Sequence, residues 1–400
     1  MLLSSQTVFA ADCSVSGSQR MKEILNTSST SDTLVLAHRG YWGKYVSTSG
    51  GTSKVPENST GSLYLANSAC FDGVELDVKM TSDAVPILMH DFNLGRTTNV
   101  YIYGQNKYNP SNNTGHNPAV SKLPWKGLIE SLRLLYPDRS DVSAFYVPSV
   151  SEIFNTHKNS GYTVPMIFDT KDAASVKAIN DLAAKTYAQP GTVVAVKVNA
   201  TLYTSPDSFS KDAPKITAIP VFTTNMLGKI NVPSVRADWQ KSVKTIEINV
   251  KEKDGLLQGQ LDNAKSAGQR IGVFQAIPDG PGTGQFYRNY GACCYTLSDL
   301  YYNGKDLASG KTVKDTADKR GDIAYLMDQG YGLITTDDPR TVVATLSTNS
   351  RRKSHTGSVA NMDESTIPAD AKVNSTTADS SQKASKDDTT DTDPDIYDQE

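Results

Sequence analysis

The chain has 400 residues, 38% of them apolar, and a net charge of −3 from 40 basic and 43 acidic side chains. That is enough apolar material for a substantial core. The near-neutral balance leaves no electrostatic footprint for nucleic acid or an anionic membrane, and no run approaches the ~18 apolar residues of a spanning helix.

In chain order, the opening "MLLSSQTVFAADC" has the short apolar piece and small residue (Val8, Phe9, Ala10) found at the end of a secretory leader, though no basic region precedes them. Residues 1–30 therefore read as an N-terminal segment with a leader remnant, and the protein as exported, secreted or periplasmic. Cys13, Cys70, Cys293 and Cys294 make an even count that suits an oxidising compartment; their connectivity stays open. They lack CxxC spacing, which argues against zinc. The sequon at Asn58 falls in a loop read below as part of the active site, where a glycan would be awkward. That favours a bacterial source.

Between Ser31 and Leu346, short apolar runs alternate with helical patterns. The predicted strands are Leu34–His38, Gly73–Met80, Val164–Thr170, Thr192–Val198, Ile216–Thr223, Thr245–Val250, Arg270–Ala276 and Gly332–Thr336. Between them, "SVSEIFNTHKNSG" has a capping serine, helical spacing and a glycine stop, and "DAASVKAINDLAAKTYA", "LLQGQLDNAKSAGQ" and "DTADKRGDIAYLMDQGYG" read similarly. Eight strands alternating with helices predict an α/β fold, a (β/α)8 TIM barrel over 31–346 as a single domain with a loop-rich insertion. A doubly wound sheet would want a GxGxxG loop after the first strand, and Gly40 and Gly43 do not make one. From 347 to 400 the chain is rich in Ser, Thr, Asp and Lys with few large apolar residues, so it reads as a disordered low-complexity tail, His355 included.

A barrel puts its chemistry where strands end. The first strand ends in His38 and Arg39. The second, "GVELDVKM", carries Glu75 and Asp77 two apart, hence on one face. Paired carboxylates in a buried parallel strand need neutralising, and a hard divalent cation, Mg2+ or Ca2+, does that economically. A solvated strand end is the plainer account of such a pair. The next strand adds Asp169, a third candidate ligand, and Lys171, a cation for an anion. A second apolar run ends in His90 and Asp91. Two histidines, three carboxylates and two cations are what metal-assisted phosphodiester cleavage requires.

These residues stand in "AHRG…VPENSTGSLYLANSACFDGVELDVKMTSDAVPILMHD", with "LGRTTN", "VPSVSEIF" and "GLITTDDP" further on. The pattern resembles the glycerophosphodiester phosphodiesterase family. The resemblance implies a TIM barrel that binds one divalent cation and hydrolyses glycerophosphodiesters to glycerol 3-phosphate and an alcohol. By the same resemblance, His38 and His90 form the acid–base pair, Glu75 and Asp77 are metal ligands, and Arg39 and Lys171 face the phosphate. Glu57 of "PENS" supports the arginine or the metal. In the family mechanism the neighbouring glycerol hydroxyl attacks, and water then opens a cyclic phosphate.

Departures accompany the match. Asp169 stands where the family usually has Glu, and PENS replaces PENT. "KYVSTSGGTSK" lengthens the first loop as a possible rim or lid. Tyr101, Tyr103, Tyr108 and Trp125 are candidates for an alcohol pocket or for loop packing, and Phe274 and Gln275 for an apolar wall. His116 and His157 are assigned to surface loops. Two alternatives follow: a phospholipase D-like lyase that stops at the cyclic phosphate, acting on lysophospholipids or sphingomyelin, and a non-catalytic secreted barrel. The retained histidines and carboxylates argue against the second.

Overall fold

The structure is a computed structural model that describes residues 13, 15–26, 32–46, 52–104, 106–296, 303–305, 312–314 and 317–352. Eight parallel strands close into a barrel: β1 (Leu34–Ala37), β2 (Gly73–Met80), β3 (Met166–Thr170), β4 (Val194–Asn199), β5 (Thr217–Phe222), β6 (Thr245–Ile248), β7 (Arg270–Phe274) and β8 (Leu333–Thr336). Each pairs with its neighbour in sequence, and β1 pairs with both β2 and β8, so the sheet has no free edge there. All eight strands coincide with the predicted ones. A short strand, Pro86–Leu88, adds antiparallel to the end of β2.

Strand alternation sorts the barrel interior into layers. Leu34 and Leu36 of β1 join Ile167, Ala195, Ile219 and Leu333 in a lower apolar layer, separate from the core under the outer helices. One step further along the same faces stand His38, Asp169, Lys197 and Thr335, with Asp337 a step beyond, and these line the cavity at the C-terminal mouth. The helices that keep this frame start on side-chain caps: Ser149 with Glu152 forms a capping box for Val150–Asn159, and Ser59 with Ser62 does so for Thr60–Ser68. The last interstrand pattern yields a shorter helix than expected, Ile323–Asp328, because Asp322 caps it and Asp318 is turned back on Arg320.

The lower end is plugged by a helix that the sequence reading missed. Gly17–Asn26 lays Met21, Ile24 and Leu25 against the lower layer. Cys13, just before it, is bonded to Cys70. Asp72, fully buried before β2, accepts from the Val35 N–H at 2.7 Å, from Arg20 Nε at 3.0 Å and from Arg352 Nη2 at 3.0 Å. Residues 17–26 and the segment at Arg351 and Arg352 thus pack on the barrel, beyond the 31–346 bounds expected for the domain. The leader expectation for residues 1–12 and the tail expectation for 353–400 fall outside the described residues. Of the lengthened first loop, 43–46 and 52–55 pair as a hairpin, and 47–51 also lie outside.

Candidate active site

One cavity at the mouth is lined by His38, Arg39, Glu75, Asp77, His90, Asp169 and Lys171 together. Glu57 stands behind them. The first turn explains the glycine in "HRG": Arg39 sits at φ 56° and Gly40 at +84°, and a Cβ on Gly40 would meet Ser62 Oγ at 2.1 Å. That turn lets the Arg39 N–H donate to Glu75 Oε2 at 3.1 Å while its guanidinium folds over the cavity.

Register brings the carboxylates together. Asp77 of β2 is level with Asp169 of β3, which is level with Lys197 of β4. Glu75, Asp77 and Asp169 each offer an oxygen, and the three lie within 4.8 Å of one another. Burial, and Asp77 beside it, push the Glu75 carboxyl up to about 7. Burial acts the same way on Asp77, but His90 and Arg39 outweigh it and hold that carboxyl well below the usual range. Asn58 fixes Asp77 from both sides, accepting from its N–H at 3.0 Å and donating to Oδ2 at 2.8 Å. With both amide atoms engaged and 2% exposure, Asn58 has no room for a glycan.

Each histidine is oriented by a carboxylate. His38 Nδ1 lies 2.8 Å from Asp337 Oδ1, which also accepts from Trp42 Nε1 at 3.0 Å; His38 Nε2 points inward, 3.9 Å from Glu75. Burial lowers the His38 pKa, but Asp337 more than offsets it, so the net shift is upward. His90 Nδ1 lies 2.8 Å from Asp91 Oδ1. Asp91 is clamped by Arg96 at 2.6 and 2.8 Å, Arg96 reaches Glu57 at 2.9 Å, and Glu57 accepts from Arg39 at 3.1 Å. Glu57 therefore ties the arginine of the first turn to the loop of the second histidine. Arg39 Nε is buried without a hydrogen-bond partner, 3.6 Å from Asp77.

Several lining residues escaped the sequence reading. Asp337 was legible in "TTDDP", one inward step past Thr335. Arg96 and Asp91 stood in quoted motifs with no role attached. Lys197 and Glu247, paired at 2.7 Å beside the carboxylates, each look like an isolated charge in its own strand. Phe274 does line the cavity, its ring 4.7 Å from that of His38, whereas Gln275 turns away to Thr336 and Gly321. Tyr101, Tyr103, Tyr108 and Trp125 are not among the lining residues; Phe92, Phe286, Tyr287 and Tyr295 are. His116 lies in a loop, but His157 is buried on the Val150–Asn159 helix, bonded to Val164 O at 3.0 Å and Tyr187 Oη at 3.2 Å, so its assignment to a surface loop is corrected. The cysteines pair as Cys13–Cys70 and Cys293–Cys294.

Residues 38–205, which hold every one of the predicted site residues, match the model of the Glycerophosphoryl diester phosphodiesterase family. Over those residues the chain is similar to that family. Glycerophosphodiester phosphodiesterase 1 of Rattus norvegicus is 43% identical over 63 residues, 16% of this chain and 16% of that protein. Glycerophosphodiester phosphodiesterase of Caldanaerobacter subterraneus is 39% identical over 67 residues, 17% of this chain and 24% of the relative. The chain thus matches less than a quarter of the length of these curated relatives. Across the fold, a glycerophosphoryl diester phosphodiesterase from Parabacteroides distasonis aligns with a TM-score of 0.54 and 17% identity, over 85% of this chain and 94% of that one. A putative relative from Silicibacter pomeroyi gives 0.55 and 14%, over 83% and 99%. At such identities these two speak for the barrel.

Proposed function

We propose that the protein is a divalent-cation-dependent phosphodiesterase that cleaves glycerophosphodiesters to glycerol 3-phosphate and an alcohol. The observation that carries this reading is a pair of histidines, each aligned through Nδ1 by its own carboxylate, on one cavity with three clustered acidic groups. Glu75, Asp77 and Asp169 would hold the cation: all three donors are hard oxygens, and burial, with Asp77 beside it, already raises Glu75. Bound there, Mg2+ or Ca2+ supplies positive charge to the phosphate oxygens.

The chain's own groups do the rest. Arg39, with an unpartnered Nε, and Lys171 hold the phosphate. His38, the more enclosed histidine and the one made more basic by Asp337, takes the proton from the glycerol hydroxyl beside the phosphate. His90, with a 25% exposed side chain on the open rim, gives a proton to the departing alcohol oxygen. The hydroxyl oxygen bonds to phosphorus as the alcohol leaves, and the two histidines exchange roles when water opens the cyclic phosphate. Export is part of the proposal, supported by two cysteine pairs suited to an oxidising compartment.

Phosphorus NMR of the full chain with glycerophosphodiesters, in Mg2+, in Ca2+ and in EDTA, tests this. Glycerol 3-phosphate is expected with a cation and absent with EDTA. A cyclic phosphate as the final product would replace the reading with the lyase, and no turnover under any condition would end it.

A further inference from the structure

Three lysines line the cavity, and two of them stand in ion pairs with carboxylates. Lys171 Nζ lies 2.9 Å from Asp169 and Lys197 Nζ 2.7 Å from Glu247. Lys79 differs. It follows Glu75 and Asp77 on the inward face of β2, one step nearer the mouth, and is 5% exposed. Among the described residues no carboxylate lies within ion-pair distance of it. Its ammonium makes one long hydrogen bond, to Met89 O at 3.4 Å, and stands 4.9 Å from the centre of the Phe92 ring. Asp77, Asp169 and Asp91 act on it only from beyond ion-pair distance, so a buried ammonium with one long hydrogen bond has room for an anion as its direct partner.

Which part of a substrate that anion belongs to follows from where Lys79 lies. Met89 and Phe92 flank His90, the histidine on the open rim, whereas His38 is enclosed and packed on Phe274. The enclosed side suits the glycerol moiety that every glycerophosphodiester shares. The open side is left for the alcohol, which varies. There the Phe92 face that could otherwise stack on a quaternary ammonium already holds the chain's own cation.

We propose that Lys79 is a leaving-group recognition residue, and that the enzyme favours glycerophosphodiesters whose alcohol carries an anionic phosphate over those whose alcohol carries a quaternary ammonium. The inference rests on the phosphodiesterase reading above.

The test compares kcat/KM for glycerophosphoinositol 4-phosphate, glycerophosphoinositol and glycerophosphocholine in the native full chain and in Lys79→Gln and Lys79→Arg. The native enzyme is expected to rank them in that order. Lys79→Gln is expected to shrink the ratio of the first to the last at least tenfold, and Lys79→Arg to keep most of it. A native preference for the choline ester overturns the proposal, as does an equal fall for all three substrates in Lys79→Gln. The native ranking decides by itself if Lys79→Gln does not fold. Turnover of none of the three by the native enzyme defeats the phosphodiesterase reading itself, a result distinct from hydrolysis with the wrong ranking.

Discussion

The two ends of the barrel treat buried charge in opposite ways. At the lower end Asp72 is wholly enclosed, yet two arginines and a backbone N–H meet it, and the bonds join the N-terminal helix, the start of β2 and residue 352 into one clasp. At the mouth, Glu75, Asp77 and Asp169 face one another, Glu75 is driven up to about 7, and Arg39 Nε has no acceptor. A buried cluster whose groups are mutually satisfied holds a structure together. One left in conflict is waiting for a ligand, and here the conflict sits where strand ends deliver both histidines.

The largest expected effect lies at the mouth. His38→Ala and His90→Ala should each lower turnover of a glycerophosphodiester by about 10²–10⁴-fold while thermal unfolding stays close to native. A fully active variant of either kind would break the functional side of the comparison. At the other end, Asp72→Asn removes the charge that two arginines share, and should cost about 3–5 kcal/mol in denaturant unfolding with the catalytic rate of the folded protein retained. Next comes the covalent tie beside that clasp. The Cys13–Cys70 bond spans a sequence separation of 57, and removing it by Cys13→Ser with Cys70→Ser should cost about 2–4 kcal/mol, read in the same unfolding experiment.

A subtler prediction sets a buried histidine against the two at the mouth. Burial lowers the His157 pKa to about 4, from an ordinary value of 6.5. Between these values the unfolded chain binds the proton that the folded one refuses. Stability from this residue is therefore fully present above pH 6.5 and is lost as pH falls toward 4, by up to about 3 kcal/mol at ~1.4 kcal/mol per unit. His157→Gln should lower stability at pH 7 by about 1 kcal/mol through altered hydrogen bonds, and flatten the acid limb of an unfolding-versus-pH curve. An unchanged limb would show that His157 is not the group responsible.

How much of this was legible in the sequence depends on how local each signal is. The eight strands could be read because each is a short apolar run whose neighbours punctuate it. His38, Arg39, Glu75, Asp77, His90, Asp169 and Lys171 could be singled out because a polar residue at the end of such a run is anomalous, and the structure gathers all seven around one cavity. Residues whose meaning lies in a distant partner stayed hidden. Lys197 and Glu247 explain each other only across the barrel, 50 positions apart in sequence, and Asp337 gains its role from His38, far upstream. The Gly17–Asn26 helix has an amphipathic pattern, but it lay in a stretch attributed to a leader. His157 looked unremarkable because helix Val150–Asn159 and the turn to Val164 supply its burial, which no motif signals.

The central claim is that Glu75 at the mouth is kept in conflict for a cation, whereas Asp72 below is matched by the chain itself. Unfolding of the native protein, Glu75→Gln and Asp72→Asn, each measured in EDTA and then with Mg2+ or Ca2+, tests it most directly. In EDTA, Glu75→Gln should be more stable than native by on the order of 1–3 kcal/mol, because one repelling charge is gone, and Asp72→Asn should be less stable. Adding the cation should stabilise the native protein and Asp72→Asn, which keep the full ligand set, and do little for Glu75→Gln. A Glu75→Gln variant that is destabilised like Asp72→Asn, or that gains as much from the cation as the native protein does, would contradict the account.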